Sequence, residues 1–256
     1  VDSVRAVMAL RISRSTPATE EIPRTLFLYW ADGFQSAPRL VQLCAESWQI
    51  QNPDFSIVLL DDSNLDKFCR TEDFLDPQRF HQLDIQKKSD IIRMVLLVSQ
   101  GGFWADATVY CARPIDEFLS LAPPAGFHAI PGARGSNRFF ESYFLGSKRN
   151  GRFFRLWLER FAALVSPQVK PMTRATQKRW WRRYPFLLSR KLGTIVWTLH
   201  TVVRRTGYPY LVPHYIANRL FFVRPWWYLA WRANPHPSAG QALRYERREN
   251  GLADFT

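Results

Sequence analysis

A chain of 256 residues with 46% apolar and 22% charged content can bury a sizeable core and is too apolar to remain disordered. Its net charge of +13 is unevenly spread: residues 1–122 hold 12 Lys/Arg against 17 Asp/Glu, a net of −5, and residues 123–256 hold 23 against 5, a net of +18. The asymmetry points the second half toward an anionic partner, with nucleic acid, anionic lipid and a nucleotide diphosphate as the candidates.

Residues 1–20 read as an N-terminal extension in which Arg5, Arg11 and Arg14 surround an apolar patch too short for a secretory signal. Thr25–Trp30 is a dense apolar run of strand length, closed by Ala31-Asp32-Gly33 turn chemistry. Pro38 opens a helix through Gln51 that Asn52-Pro53 ends, and Ser56–Leu60 is a second buried strand finishing in Asp61-Asp62. This strand–helix–strand order predicts a right-handed crossover and a parallel pair. Residues 64–83 read as short acidic helices. A helix over 85–100 follows, with Ser89 and Asp90 as its polar start, and Gly101-Gly102 stops it. The aromatic strand Phe103–Ala105 then delivers Asp106 at its end, where open α/β sheets place ligands. Strands over 126–130 and 139–146 and a helix over 151–165 complete a first unit spanning 21–166.

Residues 167–256 differ in composition. Arginines and tryptophans interleave over 178–232, and the mostly apolar run 192–203 sits between basic pairs. Twelve residues fall short of the about 20 that a spanning helix needs, so this stretch is expected to lie at a bilayer interface. Cys44, Cys69 and Cys111 have neither an even count nor metal spacing, which suits buried thiols in a reducing compartment.

The stretch 89–108, Ser-Asp-x-x-Arg through Gly-Gly-Phe-Trp-Ala-Asp-Ala-Thr, resembles the signature of the capsular polysaccharide synthesis protein family. That family lies within the glycosyltransferases that carry a DXD-containing sugar-binding region. The similarity reaches back to Ile22-Pro23-Arg24-Thr25 and Ser47–Asp54, and forward to about residue 165. The resemblance implies a GT-A type α/β fold, with a mixed, mainly parallel sheet and a helical C-terminal region covering the acceptor side. It implies transfer of a hexose from a UDP- or GDP-sugar to a glycan or lipid-linked acceptor in bacterial surface polysaccharide synthesis, with retention of configuration.

Residue by residue, it implies that Asp106 contacts the ribose and sugar or a metal, with Gly102 and Trp104 beside it. It places Asp90 and Arg93 on the donor sugar and phosphate, and an aromatic at the end of the first strand, Tyr29 or Trp30, on the base. Asp61, closing the second strand on the same sheet edge, is expected to be a weaker nucleotide contact. A strict motif would have a second acid where Thr108 stands. The expected cofactor is Mn²⁺ or Mg²⁺, held by Asp106 and Thr108, with His214 as a C-terminal candidate.

Spacing independently puts Asp90 and Arg93 on one helical face, where a solvated ion pair is the ordinary outcome. Asp106 read alone is a turn aspartate, Tyr29 and Trp30 are core aromatics, and His214 is a packing histidine. Neither a Gly-x-Ser-x-Gly elbow nor a phosphate loop ending Gly-Lys-Ser/Thr is present. The expected partners are a nucleotide-sugar donor, an acceptor and an anionic membrane surface, and the expected location is the cytoplasmic face of the plasma membrane. Two alternatives stand: a basic nucleic-acid-binding protein, suggested by the +18 half, and a glycosyltransferase homologue weakened at Thr108.

Overall fold

The computed structural model describes residues 21–132, 139–165 and 212–234. The extension 1–20, the run 192–203 and most of 167–256 lie outside the described residues. Five strands form one sheet: β1 (Thr25–Tyr29), β2 (Ser56–Leu60), β3 (Gly102–Ala105), β4 (Phe127–Pro131) and β5 (Phe140–Ser147), in the spatial order β2-β1-β3-β5-β4. β1 pairs in parallel with β2 and β3, and β5 is antiparallel to both β3 and β4. Four strands therefore point one way and β5 alone runs against them. The architecture is α/β with the mixed, mainly parallel sheet that the sequence predicts.

Alternation along β1 assigns its two faces. Phe27 and Tyr29 join Trp104 in one core, while Leu26 and Leu28 join Phe103, Ala105 and Trp48 in the other. Burial on both faces is why β1 reads as an unbroken apolar run rather than an alternating one. Trp48 comes from helix α1 (Arg39–Gln51), which connects β1 to β2. The first core is filled from α3 (Ile85–Ser99) and α4 (Arg152–Leu164). On α3 every residue from Asp90 to Val98 is buried.

Residues 64–83 form two short 3₁₀ turns and the single-turn helix α2 (Pro77–His81), capped by Asp76 but basic through Arg79 and His81 rather than acidic. The polar start of α3 lies earlier than Ser89: Asp84 is its N-cap, accepting from the Lys87 backbone N–H at 2.9 Å. Ser89 and Asp90 therefore sit inside the helix, which aims Asp90 inward. Gly101 and Gly102 have φ of +71° and +93°, and a Cβ on Gly102 would stand 2.5 Å from the Thr25 carbonyl oxygen. Only glycine makes this turn from helix into strand.

Helices α5 (Val212–Val223) and α6 (Pro225–Arg232) are attached through indole N–H groups. Trp157 on α4 donates to the Pro213 carbonyl at 2.7 Å, and Trp231 donates to that of Ala129 at 3.0 Å. Trp231 thus builds the core, while Trp226 is exposed. All three cysteines are buried thiols, as expected, and burial raises the Cys69 thiol well above its usual range. No described helix is long and apolar enough to cross a membrane.

Candidate active site at the carboxyl ends of β1, β2 and β3

The three parallel strands end side by side. β2 ends before Asp61-Asp62, β1 at Tyr29 with Trp30 following, and β3 before Asp106. A sequence that places an acid or aromatic directly after each apolar strand therefore gathers those groups along one edge of the sheet.

Asp106 is the centre of this edge. Its backbone N–H donates to the Tyr143 carbonyl at 2.8 Å, which extends the β3–β5 ladder one step past the strand. Its Oδ1 accepts from the Trp104 indole N–H at 2.8 Å and lies 3.2 Å from an Arg93 guanidinium nitrogen. Both contacts fall on Oδ1, and the side chain is 36% exposed, so Oδ2 is available to a ligand. Arg93 itself is tied down from several sides. It donates to the Ser142 carbonyl at 2.6 Å and the Ser89 carbonyl at 3.4 Å, and its guanidinium lies 5.3 Å from the Trp104 ring centroid. It also pairs with Asp90 at 3.5 Å, which Lys87 approaches at 3.6 Å from the other side. Burial raises the proton affinity of the Asp90 carboxyl, against the opposing pull of Arg93 and Lys87.

Residues 7–173 match the model of the family described as capsular polysaccharide synthesis protein. The chain belongs to that family. Among curated proteins it is 24% identical over 166 residues to "O-glycosyltransferase braB" of Annulohypoxylon truncatum, a match covering 58% of this chain and 38% of that one. The chain therefore spans well under half the length of this relative. Among solved structures it is similar to "PaToxG Glycosyltransferase" at 16% identity and a TM-score of 0.45, over 95% of this chain and 83% of that one.

Placed on the structure, the capsular-synthesis signature residues separate into groups. Asp90, Arg93, Trp104 and Asp106 form one linked cluster. Gly102 opens β3 at the end opposite Asp106. Thr108 is exposed two residues beyond Asp106. Trp30 is half-buried and packs with Phe34 against Ala37, Val41 and Ala107, so it stands beside the residue that follows Asp106. Tyr29 is buried, and its hydroxyl donates to Asp62 Oδ1. That burial and the charges of Asp62, Asp32 and Asp61 push its phenol well above the usual range. Asp61 turns Oδ1 back on its own loop, accepting from the Ser63 hydroxyl at 2.5 Å and from the Ser63 and Asn64 backbone N–H groups at 2.8 and 3.1 Å. These contacts, the Ser63 hydroxyl first, hold the Asp61 carboxyl below its ordinary value.

His214 is buried on α5, its ring 6.4 Å from that of Phe140. Among the described residues no three His, Cys, Asp or Glu side chains converge as a metal cage. One carboxylate oxygen on Asp106 and the hydroxyl of the exposed Thr108 are hard oxygen donors of the kind a divalent ion takes. Mg²⁺ and its like accept few protein ligands when phosphate oxygens supply the others.

Two contributors escaped the sequence reading. Lys87 lies two residues before the signature stretch and three before Asp90, a spacing that could have flagged it. The Ser142 carbonyl carries no residue-specific signal at all, because every residue has one.

Proposed function

We propose that this protein is a nucleotide-sugar-dependent glycosyltransferase of GT-A type, moving a hexose from a UDP- or GDP-sugar to a glycan or lipid-linked acceptor. The observation that carries this reading is Asp106, fixed on one oxygen by Trp104 and Arg93 and presenting the other at the carboxyl edge of parallel strands. Membership of a family named for capsular polysaccharide synthesis and the likeness to braB support it.

Asp32, Asp61, Asp62 and Asp106 make the edge acidic, and a bare diphosphate would be repelled there. Asp106 Oδ2 and the Thr108 hydroxyl would hold a Mn²⁺ or Mg²⁺ ion, which when bound supplies Lewis-acid neutralisation of the departing diphosphate. Trp30 offers a half-exposed ring for the base. Arg93 and Asp90 have side chains only 6% and 12% exposed. They act as positioning residues: Arg93 keeps Oδ1 of Asp106 turned inward, and Asp90, lying between Arg93 and Lys87, supplies a buried counter-charge. Retention of configuration and a role in bacterial surface polysaccharide assembly belong to this proposal as readings of the family likeness.

The test is a thermal-shift panel of UDP- and GDP-sugars, each with and without Mn²⁺, on the full chain. Ligand that binds the folded state raises the melting temperature by mass action. A metal-enhanced shift for one nucleotide class, lost in Asp106→Asn, supports the proposal. Absence of any shift across the panel sinks it.

A further inference from the structure

The turn from α5 into α6 carries a surface that the active site does not use. On α6, Trp226, Leu229 and Arg232 follow at intervals of three as an outward stripe, Val223 precedes them at the end of α5, and Val223, Trp226 and Leu229 are 58%, 55% and 65% exposed. Phe222 beside them is 38% exposed. The opposite side of the same segment is core: Trp231 and Phe221 are buried, and Trp227 and Tyr228 pack against them. The apolar residues of the stripe are therefore surplus to the core that α6 already completes, and adjacent exposed apolar groups mark an interaction site.

The charge of the segment itself has one sign. Residues 212–234 contain Arg219, Arg224 and Arg232 and no acid. The Arg224 guanidinium lies 5.7 and 5.3 Å from the ring centroids of Trp226 and Trp227. Burial lowers the Arg160 guanidinium below its usual value, and the like charges of Arg219 and Arg224 push it the same way. Arg160 on α4 thus belongs to the same basic field.

We infer that the α5–α6 turn is a docking surface for an anionic lipid bilayer, with Trp226, Leu229 and Val223 entering the headgroup region and Arg224 and Arg232 binding the acidic headgroups. Tryptophan and arginine suit this boundary, one with an apolar ring and polar edge, the other with an apolar stem and charged tip. A nucleic-acid surface fits less well, since Leu229 and Val223 offer a phosphate backbone nothing. The inference is independent of the proposed reaction, because docking is read without any donor sugar.

Flotation of the full chain with phosphatidylcholine vesicles, with and without phosphatidylglycerol, tests it. Binding is expected only to the anionic vesicles and should weaken as salt rises. Trp226→Ser with Leu229→Ser should lower the partition coefficient about tenfold or more, from the loss of two buried apolar side chains. Arg224→Gln with Arg232→Gln should lower it about 25-fold at low salt. Circular dichroism and the melting temperature report whether these surface variants stay folded. If one does not, the wild-type vesicle comparison still decides. Binding to neither vesicle, equal binding to both, folded variants that bind like wild type, or capture of a single-stranded oligonucleotide with no vesicle binding each overturns the inference.

Discussion

The Trp104 indole N–H donates to Asp106 Oδ1 at 2.8 Å, from a ring that is itself 1% exposed and lies beside the Arg93 guanidinium. Two residues of one strand end thus hold each other, one inside the core and the other at the proposed donor site. The tryptophan of the signature acts here as the brace of the carboxylate, with almost no surface left for a ligand.

Trp104→Phe removes that N–H and keeps an aromatic core residue. Turnover should fall about fivefold or more, the worth of one hydrogen bond of about 1 kcal/mol, and the melting temperature should fall as well because the smaller ring leaves a void. Steady-state kinetics beside a melting curve separates the two effects. Unchanged turnover in a folded variant would show that the brace is dispensable.

Asp106→Asn retains an oxygen for Trp104 but removes the charge. Product formation should drop at least tenfold, given about 1.5–3 kcal/mol for a charge-assisted contact, with the fold retained. Turnover within about threefold of wild type would refute the assignment of Asp106 to the leaving group.

Arg93→Lys should fail nearly as badly as Arg93→Ala. A single ammonium cannot meet Ser142, Ser89, Asp90 and Asp106 from one buried position. Loss of stability is expected alongside loss of activity, by about 3 kcal/mol or more in the alanine variant, whose buried partners are left without their cation, and by less in the lysine variant, which keeps a charge but not the fork. Denaturant midpoints check this, and a stable, active lysine variant would contradict it.

Asp61→Asn tests the pH dependence. The Asp61 carboxyl is held below its ordinary value, so its contribution to stability is present above the unfolded-state value of about 4 and fades as pH falls through the lower folded-state value. The asparagine variant should be less stable than wild type near neutral pH, and the two should converge in acid. Urea titrations across that range measure the gap, and a gap that widens in acid would reverse the sign argued here.

Gly102→Ala should destabilise the fold strongly while leaving the Asp106 edge untouched in sequence. The φ of +93° and the close Thr25 carbonyl both oppose a Cβ, and about 2 kcal/mol or more is expected. A melting temperature within error of wild type would show that the turn relaxes.

Much of this architecture was legible because burial on both faces writes itself into sequence. Leu26 to Tyr29 are apolar without interruption since each neighbour faces a core. Gly101-Gly102 was legible for the same local reason, a backbone that admits no Cβ. What stayed hidden depends on chemistry that carries no identity. Arg93 finds the Ser142 carbonyl 49 residues away, and Trp231 finds that of Ala129 102 residues away. Trp226 and Trp231 are alike in composition and lie five residues apart on one helix, yet one is exposed and the other is core. Their helical phase relative to the sheet separates them, and phase follows from where β4 and β5 come to rest.

The antiparallel strand β5 has a further consequence. Tyr143 and Ser142, adjacent on that strand, each offer a carbonyl to the signature: one to the Asp106 backbone N–H, the other to Arg93. A slip of β5 by one residue would reverse every side chain on it and strand both donors together. The proposed donor carboxylate and the arginine that positions it therefore act as a checkpoint during assembly, rewarding a single alignment of the hairpin long before any sugar arrives.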